Sequence, residues 1–259
     1  MQALQRPAGA GWRWIVDGYA IFRRHPSLMI ALASGYWMIL FFTGIVPLLG
    51  SVIGSVIAPA LSVGVMNACR EIEAGRRPGF DILFSALRRK PRTLFVLGAM
   101  YLGATIAIVT IVSAIDGGAM FRMMTVGGVS HDELIEAGSD VAAQVGVALM
   151  APIIMAWWYA PMLASWHGLP AAKSLFFSFV ACWRNWRAFL VYGFGAAFLT
   201  VPPLVIITLL GPGGPGVAVL LFVPALFFLA PVFFGSFYAS YRDVFVSDPS
   251  GAPSVDVHA

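Results

Sequence analysis

Long uncharged stretches alternate with short charged segments along this chain. Residues 93–115 and 141–166 contain no Asp, Glu, Lys or Arg, and neither do the longer intervals 26–69 and 188–241. A membrane-crossing helix needs about 20 apolar residues, so each longer interval has room for two helices and a turn. The pattern therefore predicts six transmembrane helices, at roughly 27–45, 50–69, 93–115, 141–166, 188–210 and 217–240.

Three of the charged segments are predicted to form short amphipathic helices that end in basic residues just before a span. In the second, FDILFSALRRKPR at 80–92, apolar residues recur at helical spacing and so share one face. Pro91 lacks a backbone N–H, so the chain is expected to turn there. Such helices lie in the membrane interface, with their arginines among the headgroups. The predicted apolar faces are Phe80, Leu83, Phe84 and Leu87 in this helix, and Trp12, Ile15, Val16, Tyr19 and Phe22 in the first.

These segments also resemble one another in sequence. An offset of 65 residues places FRRHP at 22–26 on LRRKP at 87–91, and a further offset of 95 reaches CWRNW at 182–186, where the proline is replaced. We interpret the first two as repeats, each an interfacial helix followed by a hairpin of two spans, and leave the third open. The alternative is that any basic linker before a span looks alike.

The composition excludes a soluble globular protein. Hydrophobic residues make up 59% of the 259 residues, charged residues only 11%, and the mean hydropathy is +0.85. Soluble domains carry about 25% charged residues, so this chain could not cover a water-exposed surface. We predict an all-α fold, a polytopic membrane helical bundle of six transmembrane helices plus about three amphipathic interfacial helices. Residues 1–241 would form a single transmembrane domain, and 242–259 a polar, disordered cytoplasmic tail.

Basic residues collect on one side of the predicted membrane. If the N-terminal segment, 70–92, 168–187 and the tail share a side, that side holds fifteen of the sixteen Lys and Arg residues. The loop at 116–140 carries an excess of acids and the one remaining base, Arg122. Loops rich in Lys and Arg stay in the cytoplasm. Both termini are therefore predicted to be cytoplasmic, with 116–140 on the opposite side.

Three local features predict a helix start, kinks and a contact between helices. The S-x-x-E pattern at 130–133 has the form of a capping box and predicts a short helix. Pro152 and Pro161 are predicted to kink the fourth span. Asn67, an amide within the second span, is predicted to hydrogen-bond to another helix, which contributes about 0.6–2 kcal/mol in a membrane.

Candidate catalytic chemistry is sparse. The predicted spans contain no Asp, Glu, Lys or Arg, which argues against a proton- or ion-coupled pump, although backbone carbonyls at broken helices can bind ions. The G-x-G-x-x-G at 211–216 lies between two apolar runs and is predicted to be a turn. No catalytic motif is recognised, so the chain is predicted to be no enzyme and to use no cofactor.

The residues that could ligate a metal do not form a recognisable site. His25, His167, Cys69 and Cys182 all map to the predicted cytoplasmic ends of helices. No two of them lie within one helical turn in the sequence, and a metal site usually shows such spacing. No metal site is predicted from them.

Parts of the sequence resemble an uncharacterised family of bacterial, mainly proteobacterial, multi-pass membrane proteins. The resemblance is carried by Trp12-x-Trp14, by GYAIFRRHP at 18–26 and by PALSVGVMNACR at 59–70. It covers most of the chain except the polar tail. It implies a helical bundle in the bacterial inner (plasma) membrane, and it implies no activity and no functional residues.

The leading functional hypothesis is a non-enzymatic inner-membrane protein that engages anionic lipid or partner proteins at the cytoplasmic face. Expected partners are membrane lipids with anionic headgroups, and a protein partner or a second copy of the chain, but no nucleic acid. The alternative is a transporter or channel for a small neutral or amphipathic solute, with a water-accessible cavity lined by Ser62, Asn67 and the proline breaks. Membrane topology alone also accounts for the basic residues. The candidate contact residues are Arg23, Arg24, Arg76, Arg77, Arg88, Arg89, Lys90 and Arg92.

Overall fold

The computed structural model describes residues 3–46, 49–89, 91–125, 130–210 and 214–245, and within these residues it contains helices and no strand. Lys90, one of the candidate contact residues, lies outside the described residues, as does the side chain of Arg89. The helices are α1 (Ala10–Arg24), α2 (Pro26–Gly44), α3 (Leu49–Glu73), a 3-10 helix (Phe80–Phe84) that leads into α4 (Ser85–Arg89), α5 (Pro91–Ile115), α6 (Ala119–Thr125), α7 (His131–Glu136), α8 (Ser139–Trp158), α9 (Ala160–His167), α10 (Ala171–Arg184), α11 (Trp186–Leu210) and α12 (Gly214–Phe245).

The predicted fold class, an all-α protein with membrane-spanning helices, is confirmed. Among the residues that the structure describes, four helical stretches are long and apolar enough to cross a membrane: Pro26–Gly44, Val52–Glu73, Arg92–Ile115 and Ser139–His167. They coincide with the first four predicted spans. The last two predicted spans fall within α11 and α12, of 25 and 32 residues. α12 continues to Phe245, past the predicted start of the polar tail at residue 242.

The chain forms two compact units, and each is built from separate stretches of sequence. The first comprises Met1–Phe41, Leu61–Arg89 and Val180–Ala259. The second comprises Phe42–Ala60 and Lys90–Phe179. Because the chain passes from one unit to the other several times, neither unit corresponds to a continuous domain. The single transmembrane domain at 1–241 stays a prediction.

Proline and a few side chains set the helix junctions. His25 leaves the helical conformation (φ −146°, ψ 69°), and Pro26 begins α2 at a position where its missing N–H is harmless. The predicted helix start is confirmed, because the Ser130 hydroxyl accepts a hydrogen bond of 3.1 Å from the Glu133 N–H at the start of α7, one of the two bonds of a capping box. The fourth predicted span contains Pro152 within α8 and breaks at Tyr159, two residues before Pro161.

At that break, a hydroxyl from α10 replaces a backbone hydrogen bond. In a continuous helix the Tyr159 N–H would donate to the carbonyl of Met155, four residues earlier. Here it donates to the Ser178 hydroxyl at 2.9 Å, and that hydroxyl donates to the Met155 carbonyl at 2.8 Å. A side chain inserted into the helical ladder is a recognised cause of a kink. This bridge attaches α10 to the α8–α9 junction.

The packed face of α1 differs from the predicted apolar face. Ile15 is buried as expected, but Trp12, Val16 and Tyr19 are each about half exposed. The face against α11 and α12 carries glycines: a Cβ atom on Gly18 would lie only 2.3 Å from the backbone nitrogen of Ser236. The face of α1 that packs is therefore the one whose small residues allow close backbone approach, and it is not simply the most hydrophobic face. The buried positions are Ala10, Gly11, Trp14, Ile15, Gly18 and Ile21.

The second short helix also departs from the prediction. Its first turn is a 3-10 helix, and the buried positions are Leu83 and Ala86, whereas Phe80 is 45% exposed. The cause is its contact with α3, where a Cβ on Gly64 would lie 2.0 Å from the Leu83 carbonyl oxygen. The segment thus packs its backbone directly on another helix instead of resting on lipid alone.

Equivalent contacts support the predicted repeat. A Cβ on Gly35 of α2 would lie 2.7 Å from Phe80, and a Cβ on Gly195 of α11 would lie 2.7 Å from Ile15. Ile15 and Phe80 are related by the offset of 65, and Gly35 and Gly195 by the two offsets combined. In the described residues the order of one short and two long helical segments occurs three times, with α6 and α7 inserted between the two long segments of the second set. Each short helix packs on the hairpin of another segment: α1 on α11 and α12, the 3-10 helix on α2 and α3, and α10 on the α8–α9 junction.

Candidate functional site

A polar cluster between the middle of α1 and the ends of α3 and α12 is centred on Arg242, and we call it the Arg242 cluster. Arg242 donates to the Asp17 carboxylate at 3.0 Å and forms an ion pair with Glu73. Tyr238 donates to the other oxygen of Glu73 at 2.8 Å. The charged side chains remain 26–46% exposed, so solvent screens their attraction in part. The cluster connects α1 to α12, the first and last helices that the structure describes.

The segment before α1 is attached to the same end of the first unit. The Asn185 carboxamide accepts from the Arg6 N–H at 2.7 Å and donates to the Leu4 carbonyl at 3.0 Å. Arg6 also pairs with Asp243 at 3.0 Å, and the Trp14 indole N–H donates to Asp243 at 2.9 Å. Asn185 is buried at the junction of α10 and α11, one residue before Trp186, which replaces the proline of the first two segments. Its amide therefore attaches the segment before α1 to this junction.

The predicted contact residues in the first unit are exposed but differ in their partners. Arg23 lies over the Tyr19 ring, 5.7 Å from its centroid, and Arg24 donates to the Glu73 carbonyl at 2.9 Å. Arg88 lies 3.6 Å from the Asp81 carboxylate, a distance typical of a weak surface pair. Arg77 is exposed. These arginines all lie in the first unit, whereas Arg92 belongs to the second.

Arg76 is the predicted contact residue most strongly held by an acid. Its guanidinium donates two hydrogen bonds to the Glu71 carboxylate, one of them at 2.9 Å. The hydrogen bonds raise the pKa of Arg76 above its ordinary value, with the attraction of the Glu71 charge as the second cause. Arg76 is therefore the least available of these arginines for an external anion.

An open groove of about 480 Å³ runs along the start of α5 in the second unit. It is lined by Val56, Arg92, Phe95, Val96 and Ala99. It does not include Ser62 or Asn67, which were predicted to line a solute cavity. Asn67 instead donates to the Ser85 hydroxyl at 2.8 Å, which confirms its predicted contact between helices.

The buried carboxylate of Asp116 in the second unit has a structural role. It is only 3% exposed and accepts hydrogen bonds of 2.9 Å from the N–H groups of Gly118 and Met120, at the start of α6. The Ser139 hydroxyl donates to it at 3.5 Å. Donors at a helix start stabilise a charged carboxylate, so Asp116 acts as a helix cap.

The metal candidates are divided between the two units: His25, Cys69 and Cys182 belong to the first and His167 to the second. Cys69 and Cys182 are buried and are not joined in a disulfide. Throughout the described ranges, no group of three or more His, Cys, Asp or Glu side chains is placed to hold a metal ion.

Sequence reasoning missed the Arg242 cluster. The available signal was the presence of Asp17 and Glu73 as acids inside otherwise basic segments. An acid within a basic segment often forms an ion pair. The partner of both acids here, Arg242, is far away in the sequence. Asp17 and Arg242 are 225 positions apart.

Comparison with known proteins places the chain among bacterial inner-membrane proteins. It is 33% identical to a probable inner membrane protein of Burkholderia thailandensis, over 98% of this chain and 98% of the relative. The chain belongs to the family of that inner membrane protein. This agrees with the family resemblance carried by residues 12–26 and 59–70. No protein-family model matches the chain, and no solved structure matches it.

Proposed function

We propose that this inner-membrane protein crosses the bilayer six times, with both termini in the cytoplasm, and engages anionic lipid headgroups through exposed arginines on its cytoplasmic face. The proposed role is non-enzymatic and uses no cofactor. The partners proposed are membrane lipids, and a protein partner would be the alternative occupant of the same basic surface. Nucleic acid is not a proposed partner.

The observation that carries the proposal is an exposed stripe on α1. Trp12, Val16 and Tyr19 are 46–50% exposed and lie at helical spacing, and Arg23 follows them on the same face, over the Tyr19 ring. Aromatic and basic side chains together on one exposed face are typical of a helix at a membrane interface. Tyr19 would hold Arg23 at the depth of the headgroups.

The exposed surfaces of the long helices support six spans. Leu190, Phe194, Phe198, Val201 and Val205 of α11 are 45–72% exposed and recur at helical spacing. Exposed apolar stripes of this length are rare on soluble proteins and are expected where lipid is the solvent. The same reasoning applies to the exposed apolar residues of α2, α5 and α8. For α12, length and sequence are the support.

Neutralising the arginines tests lipid binding. The triple variant Arg23→Gln, Arg77→Gln, Arg88→Gln should retain less phosphatidylglycerol after purification in mild detergent, measured as lipid per protein by mass spectrometry. Each basic residue near an anionic surface contributes about 1 kcal/mol, so the three together could reduce retention by up to about 100-fold. Retained phosphatidylethanolamine, which has no net charge, serves as the control within the same sample and should change little.

Equal retention of phosphatidylglycerol by the wild-type protein and the triple variant would contradict the lipid role. If a bound protein is lost from the variant while lipid is unchanged, the basic surface serves a partner protein instead.

A transporter for a small solute remains the second proposal in rank. It needs a water-accessible cavity between helices, and the groove beside Arg92 is lined mainly by apolar side chains that suit an acyl chain better.

A further inference from the structure

We propose that the groove at the start of α5 is a specific site for one anionic phospholipid, with its phosphate on the Arg92 guanidinium and an acyl chain in the groove. This inference rests on the proposed function and narrows it, because it replaces a diffuse basic surface with one defined lipid site in the second unit. No other residue of the candidate set is needed for it.

A close helix crossing forms one side of the groove. A Cβ on Gly98 would lie 2.5 Å from the Ser55 carbonyl oxygen and 2.6 Å from the Val56 Cα. Glycine therefore lets α5 contact the backbone of α3 directly. Two helices that touch at one point diverge on either side of it, and Val56 lines the resulting open space.

The residues of α5 that line the groove form one stripe. Arg92, Phe95, Val96 and Ala99 follow the spacing i, i+3, i+4 and i+7, so they share a helix face. With a rise of 1.5 Å per residue, the stripe extends about 10 Å from Arg92 to Ala99. Arg92 is exposed at the predicted cytoplasmic end of α5, and Ala99 is exposed further along. A charged head at one end and an apolar body matches the order of groups in a phospholipid.

The chemistry of the lining selects the ligand. The planar guanidinium of an arginine matches a phosphate group, with which it can form paired hydrogen bonds. A free phosphate would leave the apolar lining without a partner. A peptide strand would bring unsatisfied backbone groups into lipid, which costs several kcal/mol each. An anionic phospholipid satisfies both the charge and the apolar walls.

The predicted repeat suggests a substitution that would block the groove. The offset of 95 aligns Arg92 with Arg187 and Ala99 with Phe194 of α11, where the phenylalanine is 72% exposed. A phenylalanine at this register is thus compatible with the helix. Ala99→Phe should fill the groove without disturbing the fold. Ala107→Phe, at another exposed alanine of α5 outside the groove, is the matched control.

Native mass spectrometry of the full chain in detergent, titrated with phosphatidylglycerol or with phosphatidylcholine, measures the site. The wild-type protein should retain one phosphatidylglycerol more tightly than any further copies, and more tightly than phosphatidylcholine. Ala99→Phe should remove this first tightly held lipid, and Arg92→Gln should weaken it by roughly fivefold, as expected from about 1 kcal/mol per basic residue. Ala107→Phe and Arg184→Gln should retain it.

The outcomes separate the two proposals. If Ala99→Phe retains the first phosphatidylglycerol as the wild-type protein does, the groove proposal is wrong, and the surface proposal is untouched. If the triple arginine variant loses lipid while Arg92→Gln and Ala99→Phe do not, the same conclusion follows. If Ala99→Phe and Ala107→Phe lose the lipid equally, the effect is not specific to the groove, and the site is again rejected.

Discussion

Arg242 joins residues that are far apart in the sequence. Its partner Asp17 lies 225 positions away, and Tyr238 reaches Glu73 over 165 positions. No periodicity or motif connects such positions, so a single sequence cannot reveal the pair. The individual residues are visible in the sequence, but the fold is needed to bring them together. Because α1 and α12 are the first and last helices described, their connection should matter for the stability of the first unit.

We expect Arg242→Ala to lower the thermal stability of the protein. The change leaves the carboxylates of Asp17 and Glu73 near each other without their shared cation. Since the three side chains are 26–46% exposed, solvent reduces the loss to about 1–2 kcal/mol. That corresponds to a decrease in Tm of about 2–8 °C for a chain of this size. Tryptophan fluorescence during heating in detergent measures it.

Arg13→Ala is the control, since Arg13 is an exposed arginine on α1 outside the Arg242 cluster. Its Tm should stay within about 1–2 °C of the wild-type value, as for most surface substitutions. An Arg242→Ala protein that melts together with the Arg13→Ala protein would show that the cluster contributes no stability.

Some single-residue contacts could be predicted, and others could not. The hydroxyl of Ser130 and the amide of Asn67 were found because each is a polar group in a context that demands a partner. Ser178 was missed, although it bridges Tyr159 and Met155. The sequence of a short amphipathic helix does not indicate that one of its serines binds backbone groups exposed by a break in another helix. The prolines near 159 signalled the break but not what would fill it.

At the scale of elements, the glycines explain why the short helices pack where they do. Gly18 and Gly64 lie at crossings where a side chain would collide with backbone atoms. The predicted apolar faces took account of hydrophobicity and spacing only. They therefore identified the helices, but they described the apolar face of α1 and not the face that packs: Trp12, Val16 and Tyr19 are about half exposed, and the glycine-bearing face contacts α11 and α12. In a membrane, small residues and not large apolar ones mark the side that contacts another helix.

We expect Gly18→Leu to detach α1 from α12. The new Cβ would lie 2.3 Å from the nitrogen and 2.6 Å from the Cα of Ser236, so backbone must move. A steric conflict of this kind costs several kcal/mol, about 3–5, and should lower the Tm by roughly 10 °C. Limited digestion with trypsin should also cut after Arg13 faster than in the wild-type protein.

Gly193→Leu is the matched substitution, because a Cβ on Gly193 of α11 meets no atom of the described residues within 4 Å. It should leave both the Tm and the digestion pattern close to wild type. If Gly18→Leu behaves in the same way as Gly193→Leu, the close contact between α1 and α12 is not present in the protein.

At the scale of the whole chain, the prediction of the helices rested mainly on the charge pattern and the long uncharged stretches. Helix positions followed from them to within a few residues, because lipid requires long apolar helices and leaves little freedom. The two-unit organisation did not follow, because segments such as 42–60 and 90–179 combine through contacts between distant residues. Family membership adds the inner membrane. The proposed function rests on the exposed arginines and on the groove.

The central claim is that fifteen of the sixteen basic residues face the cytoplasm in a six-span protein. Single cysteines at Ile45, Asp132 and Gly213, introduced after Cys69 and Cys182 are replaced by serine, test it in intact cells with a maleimide that cannot cross the inner membrane. The outer membrane is first made permeable. These three positions should react at once, and cysteines at Arg77 and Arg184 should react only after the inner membrane is opened. Labelling of Arg77→Cys in intact cells, or protection of Asp132→Cys or Gly213→Cys, would contradict the account.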